Sequence, residues 1–299
     1  MQTFKIALDW TPNANHIGFF VAQVKKFYKA NGLDIEIISP KTDNYTITPA
    51  KKVEQGQVDF ALCPTESLIS YQTKAKPFAL VGVSSIFQDD LSAVCVLKSS
   101  GIHSPKALDG KTYASYNARY EDGIVKAMIK NDGGEGKLKI SYPDKLGIWN
   151  RIAGGNADST WIFLNWEALQ AEAEGIELIN FKLEDYGVPY SYSPVIVGDR
   201  RKLNHNHDAV NTFLKATKQG YFYAKENSEE AAEILSQHIP RYDQNIDLVK
   251  AIHVSAKALG PKNSWGKMEM DKVHEFLKWL RQRNLEHSEI KVKDLVWQS

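Results

Sequence analysis

The order of apolar runs narrows the fold of this chain more than any other feature. Residues 4–8 read as a short buried strand, Asp9 to Asn13 as loop chemistry, and residues 16–31 as a helical apolar period closed at Gly32. Residues 33–39 alternate as the next strand, 49–55 form a short amphipathic helix ended by Gly56, and 58–62 are a strand. A helix over 65–74 and a strand over 78–87 follow. The pattern then repeats, with strands over 92–97, 111–115, 137–142 and 159–163 and helices over 104–108, 121–131, 149–153 and 166–174. Strands alternating with helices predict an α/β fold with a mostly parallel sheet, whose ligands sit beyond the carboxyl ends of the strands. Beyond Pro194 the composition changes. Residues 195–198 give one more apolar strand, and 204–283 are helical in period almost throughout, a helical C-terminal segment.

This order predicts two lobes. The chain leaves lobe one near Gln88-Asp89-Asp90, builds lobe two, and crosses back between Tyr190 and Pro194. Lobe one is therefore expected to be discontinuous, 1–89 with 194–299, and lobe two to span 90–193. Two crossovers make a hinge, and the expected ligand site is a cleft between the lobes.

Composition removes whole classes of function. In 299 residues, 37 Lys+Arg face 36 Asp+Glu, which leaves no basic footprint for a nucleic-acid backbone. With 43% hydrophobic and 24% charged residues the chain is neither disordered nor fibrous. No run approaches the roughly 18 apolar residues of a membrane span. Cys63 and Cys95 stand far apart and form neither a disulfide framework nor a metal-ligand spacing. The start of the sequence lacks the marks of a secretory signal, so a periplasmic or cell-surface location is expected if a signal has been removed, and a cytoplasmic one otherwise. A monomer is expected.

The candidate binding residues are those at strand ends. From lobe one they are Asp9, Trp10, Asn13 and His16, then Asn44 and Tyr45, then Thr65 and Glu66. From lobe two they are Tyr116, Asn117, Arg119, Tyr120 and Glu121, then Trp161, Asn165, Trp166 and Glu167, with Tyr190 and Tyr192 at the crossover. The set is aromatic and acidic. Flat faces such as Trp10, Tyr116 and Trp161 suit a planar heterocycle, and a carboxylate such as Glu66 or Glu167 accepts paired N–H bonds from an aminopyrimidine or a protonated amine. Arg119 argues the other way, since a guanidinium can hold a carboxylate, sulfonate or phosphate. Each residue also has a plainer role open to it: Trp161 can be core, Glu167 can complement a helix dipole, and Glu121-Asp122 can pair with Arg119 to pin a loop. His205-Asn206-His207 has no third ligand and is not read as a metal site. No catalytic residue is expected.

Several segments resemble a known family. Ala7-Leu8-Asp9-Trp10-Thr11-Pro12-Asn13, His16-Ile17-Gly18-Phe19-Phe20-Val21-Ala22-Gln23, Gly32-Leu33-Asp34, Gly56-Gln57-Val58-Asp59-Phe60-Ala61-Leu62 and Ser104-Pro105-Lys106-Ala107-Leu108-Asp109-Gly110-Lys111 are similar to the thiamine-pyrimidine synthase and pyrimidine-precursor-binding family. The resemblance implies a two-lobed type II periplasmic-binding-protein fold that captures a small planar ring, a thiamine-related aminopyrimidine, for uptake through a membrane permease complex of the ABC type. It also implies what an enzyme of the family would carry: a lysine holding pyridoxal phosphate, a histidine, a cysteine-rich run and a glycine-rich phosphate loop. At the matching places this chain has Cys63, Ser67, Pro189-Tyr190-Ser191-Tyr192-Ser193-Pro194 and Tyr116-Asn117-Ala118-Arg119-Tyr120-Glu121. The expectation is accordingly a binding protein without a cofactor. A divergent pyridoxal-phosphate-dependent synthase and a sulfonate or carboxylate receptor built on Arg119 are the alternatives.

Overall fold

The computed structural model describes residues 1–298. The described residues form two compact units, the first from Met1–Asp90, Tyr192–Val273 and residues 288–298, the second from Leu91–Ser191 and His274–His287.

The first unit is built on five strands: β1 (Gln2–Ala7), β2 (Leu33–Ile38), β3 (Phe60–Cys63), β4 (Leu80–Ser85) and, from after the second unit, the strand Val195–Asp199. The second has β5 (Ser92–Leu97), β6 (Thr112–Ala114), β7 (Lys139–Ser141), β8 (Ser159–Phe163) and β9 (Leu178–Lys182), which makes Val195–Asp199 β10. Spatial order is β2-β1-β3-β10-β4 in one sheet and β7-β6-β8-β5-β9 in the other. The two sheets thus share one plan. In each, the first, second and third strands of a βαβ run lie parallel, and an antiparallel strand that crosses from the other unit sits fourth.

The sequence correctly marks this as α/β, but the sheets are mixed rather than mostly parallel. β10 runs antiparallel to β3 and β4, and β5 antiparallel to β8 and β9. Ser92–Leu97 and Val195–Asp199 are buried on both faces. A strand buried on both faces reads as a continuous apolar run in either direction, so its sequence carries no polarity signal.

Two further differences have local causes. The helical period over 16–31 is broken into Ile17–Val24 and Phe27–Ala30, with Lys26 between them in the left-handed region at φ 61°. The C-terminal helix Met270–Gln282 does not stay with the rest of 194–299, since His274–His287 belongs to the second unit. There Phe276 packs edge-on to Tyr190 at 5.2 Å, and Leu277 and Leu280 are buried.

The first core is aromatic around β1 and β3: Phe4 meets Phe60 at 5.2 Å, and Phe213 stacks on Phe60 at 4.5 Å. The second gathers Cys95, Ala114, Ile148, Ile152 and Ile162. Helix Ile17–Val24 and helix His207–Glu226 approach backbone to backbone. A Cβ on Gly18 would meet Tyr221 Cδ2 at 2.2 Å, and one on Gly220 would meet Gly18 O at 2.0 Å.

Candidate functional site

In the first unit, the loop leaving the carboxyl end of β1 is organised around a buried histidine. Asn13, in extended backbone, caps the turn Ala14–His16, its Oδ1 accepting from Asn15 N at 2.8 Å. The Asn13 N–H donates to His16 Nδ1 at 3.1 Å. Nδ1 therefore carries the lone pair and Nε2 the proton, which points at Asp9 Oδ1 2.7 Å away. His16 is fully buried, whereas the Asp9 side chain stays 16% exposed. The result is a carboxylate of fixed orientation at a strand end, supported from behind. Tyr221 secures the turn by donating to Asn15 O at 2.6 Å, which is why Gly18 must lack a side chain beneath its ring.

Beside Asp9 stand two aromatic rings. Trp10 and Tyr45 lie 5.9 Å apart with planes tilted by 57°. Tyr45 is presented by a turn in which Asn44 and Tyr45 both occupy the left-handed region, at φ 50° and 58°. Two such non-glycine residues in succession cost of order 1–3 kcal/mol each and persist only when the surroundings enforce them. Here the turn Pro40–Asp43 is closed by Tyr45 N donating to Pro40 O, and Asp43 is pinned by the buried Lys52 at 2.9 Å. Burial, with Asp9 adding to it, pushes the Tyr45 hydroxyl well above the usual tyrosine range, so it stays protonated and able to donate.

Other predicted residues of the first unit are tied into the fold. Thr65 Oγ1 donates to Tyr192 O and accepts from Tyr192 N, at 2.8 and 3.1 Å, joining the start of the helix Thr65–Thr73 to the return crossover. Tyr192 gives its hydroxyl to Glu269 N as acceptor at 3.0 Å, with Lys272 Nζ 4.5 Å over its ring. Asn13 is likewise consumed by its cap. Glu66 lies buried in the first turn of the Thr65–Thr73 helix.

The second unit carries the rest. At the carboxyl end of β6, Glu121 reaches back from the first turn of the helix Glu121–Asn131. Its Oε1 accepts from Tyr113 OH at 2.7 Å and Tyr116 N at 3.0 Å, and its Oε2 from Ala118 N at 3.2 Å. Burial raises the Glu121 pKa, these bonds opposing it. Asn117, at φ 60°, turns the same loop. Arg119 Nη2 lies 3.0 Å from Glu286 Oε2, and the Tyr120 hydroxyl donates to the same oxygen. Glu167 opens the helix Glu167–Ala173 and accepts from Phe163 N at 2.8 Å. Asn165 and Trp166 are buried, and Trp161, partly exposed on β8, tilts against Tyr190 at 5.2 Å.

Within the first unit, then, Asp9, Trp10, His16 and Tyr45 are brought together. No local pattern marks Glu286 in the sequence, because it lies 166 residues from its partner Tyr120. Nor does any motif mark Lys145; burial pulls its ammonium pKa down, the Glu121 charge opposing.

A chain with this strand plan in both units has the fold of the type II periplasmic substrate-binding proteins. The fold of the alkanesulfonate-binding protein from Xanthomonas axonopodis pv. citri matches it with a TM-score of 0.75 at 13% identity, over 100% of this chain and 99% of that one. The family described as NMT1/THI5 like matches residues 13–231, and the chain belongs to it. Among its relatives, the formylaminopyrimidine-binding protein of Halalkalibacterium halodurans is 24% identical over 94% of this chain and 85% of its own length. The 4-amino-5-hydroxymethyl-2-methylpyrimidine phosphate synthase of Candida albicans is 30% identical over 77% of this chain and 70% of its own.

Proposed function

We propose that this chain is a substrate-binding protein that captures a thiamine-related aminopyrimidine and delivers it, unaltered, to an ABC-type membrane permease from outside the cytoplasm. The observation that carries the reading is the Asp9 carboxylate, oriented by the buried His16 and flanked by Trp10 and Tyr45. A ring amino group can donate to a fixed carboxylate while the ring lies against aromatic faces, and a charge-assisted bond of that kind contributes about 1.5–3 kcal/mol. The relative from Halalkalibacterium halodurans, whose name gives a formylaminopyrimidine as its ligand, supports the class of ring.

The test is a calorimetric titration with 4-amino-5-hydroxymethyl-2-methylpyrimidine. The chain should bind it saturably, and Asp9→Asn should weaken binding by at least about 10-fold with little change in unfolding temperature. Equal affinity in the two proteins would remove Asp9 from the site.

The Candida albicans relative favours a second reading, a synthase of the pyrimidine. The residues do not suit its cofactor. Cys63 stands at the position where the resemblance calls for a lysine, and it is buried, with burial pushing its thiol far above the ordinary cysteine range. A thiol there can neither form an imine nor act readily as a thiolate. Incubation with pyridoxal phosphate and borohydride should leave no lysine adduct; a stoichiometric adduct would restore the enzyme.

A further inference from the structure

A guanidinium on the loop that leaves β6 is, by its chemistry, an anion receptor. In this chain its charge is already met. Arg119 Nη2 lies 3.0 Å from Glu286 Oε2, the Glu286 side chain is 3% exposed and the Arg119 side chain 40%. Tyr120 donates to the same oxygen, Glu286 Oε1 accepts from His287 N at 2.8 Å, and Arg119 Cζ stands 5.0 Å over the Tyr120 ring. The carboxylate arrives on the tail behind helix Met270–Gln282, and the second unit is shaped to receive it. A Cβ on Gly123, in the first turn of helix Glu121–Asn131, would come within 2.4 Å of Leu285 Cδ2. Glu286 is thus seated by packing as well as by charge.

We propose that Glu286 is a specificity-determining residue of the second unit: by neutralising Arg119 it makes the loop that leaves β6 refuse sulfonates, carboxylates and phosphate esters. An anion approaching Arg119 meets a pair with no net charge. Displacing Glu286 to free the guanidinium would leave a buried carboxylate without its cation, a strongly unfavourable exchange. The inference goes beyond the aminopyrimidine reading, whose carboxylate Asp9 stands in the first unit, and says which ligands the loop after β6 refuses.

Calorimetry of Glu286→Gln with methanesulfonate and inorganic phosphate as anion probes, and with 4-amino-5-hydroxymethyl-2-methylpyrimidine as the uncharged probe, tests it. The wild-type chain should show no saturable heat with either anion at millimolar concentration. Glu286→Gln should gain affinity for methanesulfonate by at least about 10-fold, and Arg119→Gln/Glu286→Gln should lose that gain. A folded Glu286→Gln protein with no such gain overturns the proposal, as does methanesulfonate binding by the wild type. Should Glu286→Gln not fold, Arg119→Gln decides, because its side chain is partly exposed. A pyrimidine affinity that falls by less than about 10-fold supports a guanidinium committed to Glu286, and a larger loss overturns it. If E286Q gains the anion while no protein binds the pyrimidine, the ring assignment fails and the charge cancellation stands.

Discussion

The loops leaving β1 and β6 occupy the same place in two sheets of the same plan, yet they use their carboxylates in opposite ways. After β1, Asp9 takes its bond from the side chain of His16 and keeps part of its surface in solvent. After β6, Glu121 is filled by Tyr113 OH and the backbone N–H groups of Tyr116 and Ala118, and the neighbouring cation is filled by Glu286. One loop spends its charge on its own backbone. The other orients a charge from behind and keeps part of it in solvent. An acidic residue at a strand end is therefore a weak indicator of binding until its hydrogen bonds are assigned, since a buried carboxylate must satisfy its oxygens somewhere.

Four substitutions sharpen or break this contrast, ranked by effect on ligand affinity. Asp9→Asn should cost most, about 10- to 100-fold in calorimetric affinity for the aminopyrimidine, the loss of a charge-assisted bond. His16→Leu should cost about 10-fold by releasing Asp9. In a double-mutant cycle the two should be non-additive, with a coupling of about 0.5–3 kcal/mol; simple additivity would show that His16 only fills space. Tyr45→Ala should weaken binding by about 2- to 10-fold, the size of one aromatic contact of about 0.5–1.5 kcal/mol.

Glu121→Gln should leave affinity within about twofold but lower stability in chemical denaturation, since the side chain bridges backbone donors. It should also change the response to pH. The Glu121 pKa is raised by burial in the folded state. The folded protein then holds a proton that the unfolded chain has released, so this group's contribution to stability falls as pH rises from the unfolded carboxylate pKa through the folded one. Denaturation midpoints across that window should show a steeper fall in wild type than in Glu121→Gln. Identical slopes would mean that the loop after β6 does not bury its carboxylate.

The sequence made the alternation of strands and helices visible because each β strand is short and apolar and each helix has a partner face. Ser92–Leu97, Ser159–Phe163 and Glu121–Asn131 were placed to the residue. The strand Leu178–Lys182 was not, because only Phe181 is buried in it and an edge strand with one buried side chain shows no alternation. The antiparallel sense of β5 and β10 was hidden for the reason given above, and so was the transfer of His274–His287, whose partners lie far away in sequence. At the site, residue type and position at a strand end could be read. What could not be read was commitment: Thr65, Asn13 and Glu167 carry the right chemistry, but their hydrogen bonds go to Tyr192, Asn15 and Phe163. Such assignments depend on three-dimensional neighbours, as with Tyr221 under Asn15 and Glu286 behind Arg119.

The most direct test of the account is a competition titration of the wild-type chain with 4-amino-5-hydroxymethyl-2-methylpyrimidine and methanesulfonate, repeated on Asp9→Asn. Saturable binding of the pyrimidine alone, weakened in Asp9→Asn and untouched by methanesulfonate, is the predicted result. Binding of methanesulfonate in place of the pyrimidine, or a pyrimidine affinity indifferent to Asp9, would contradict it.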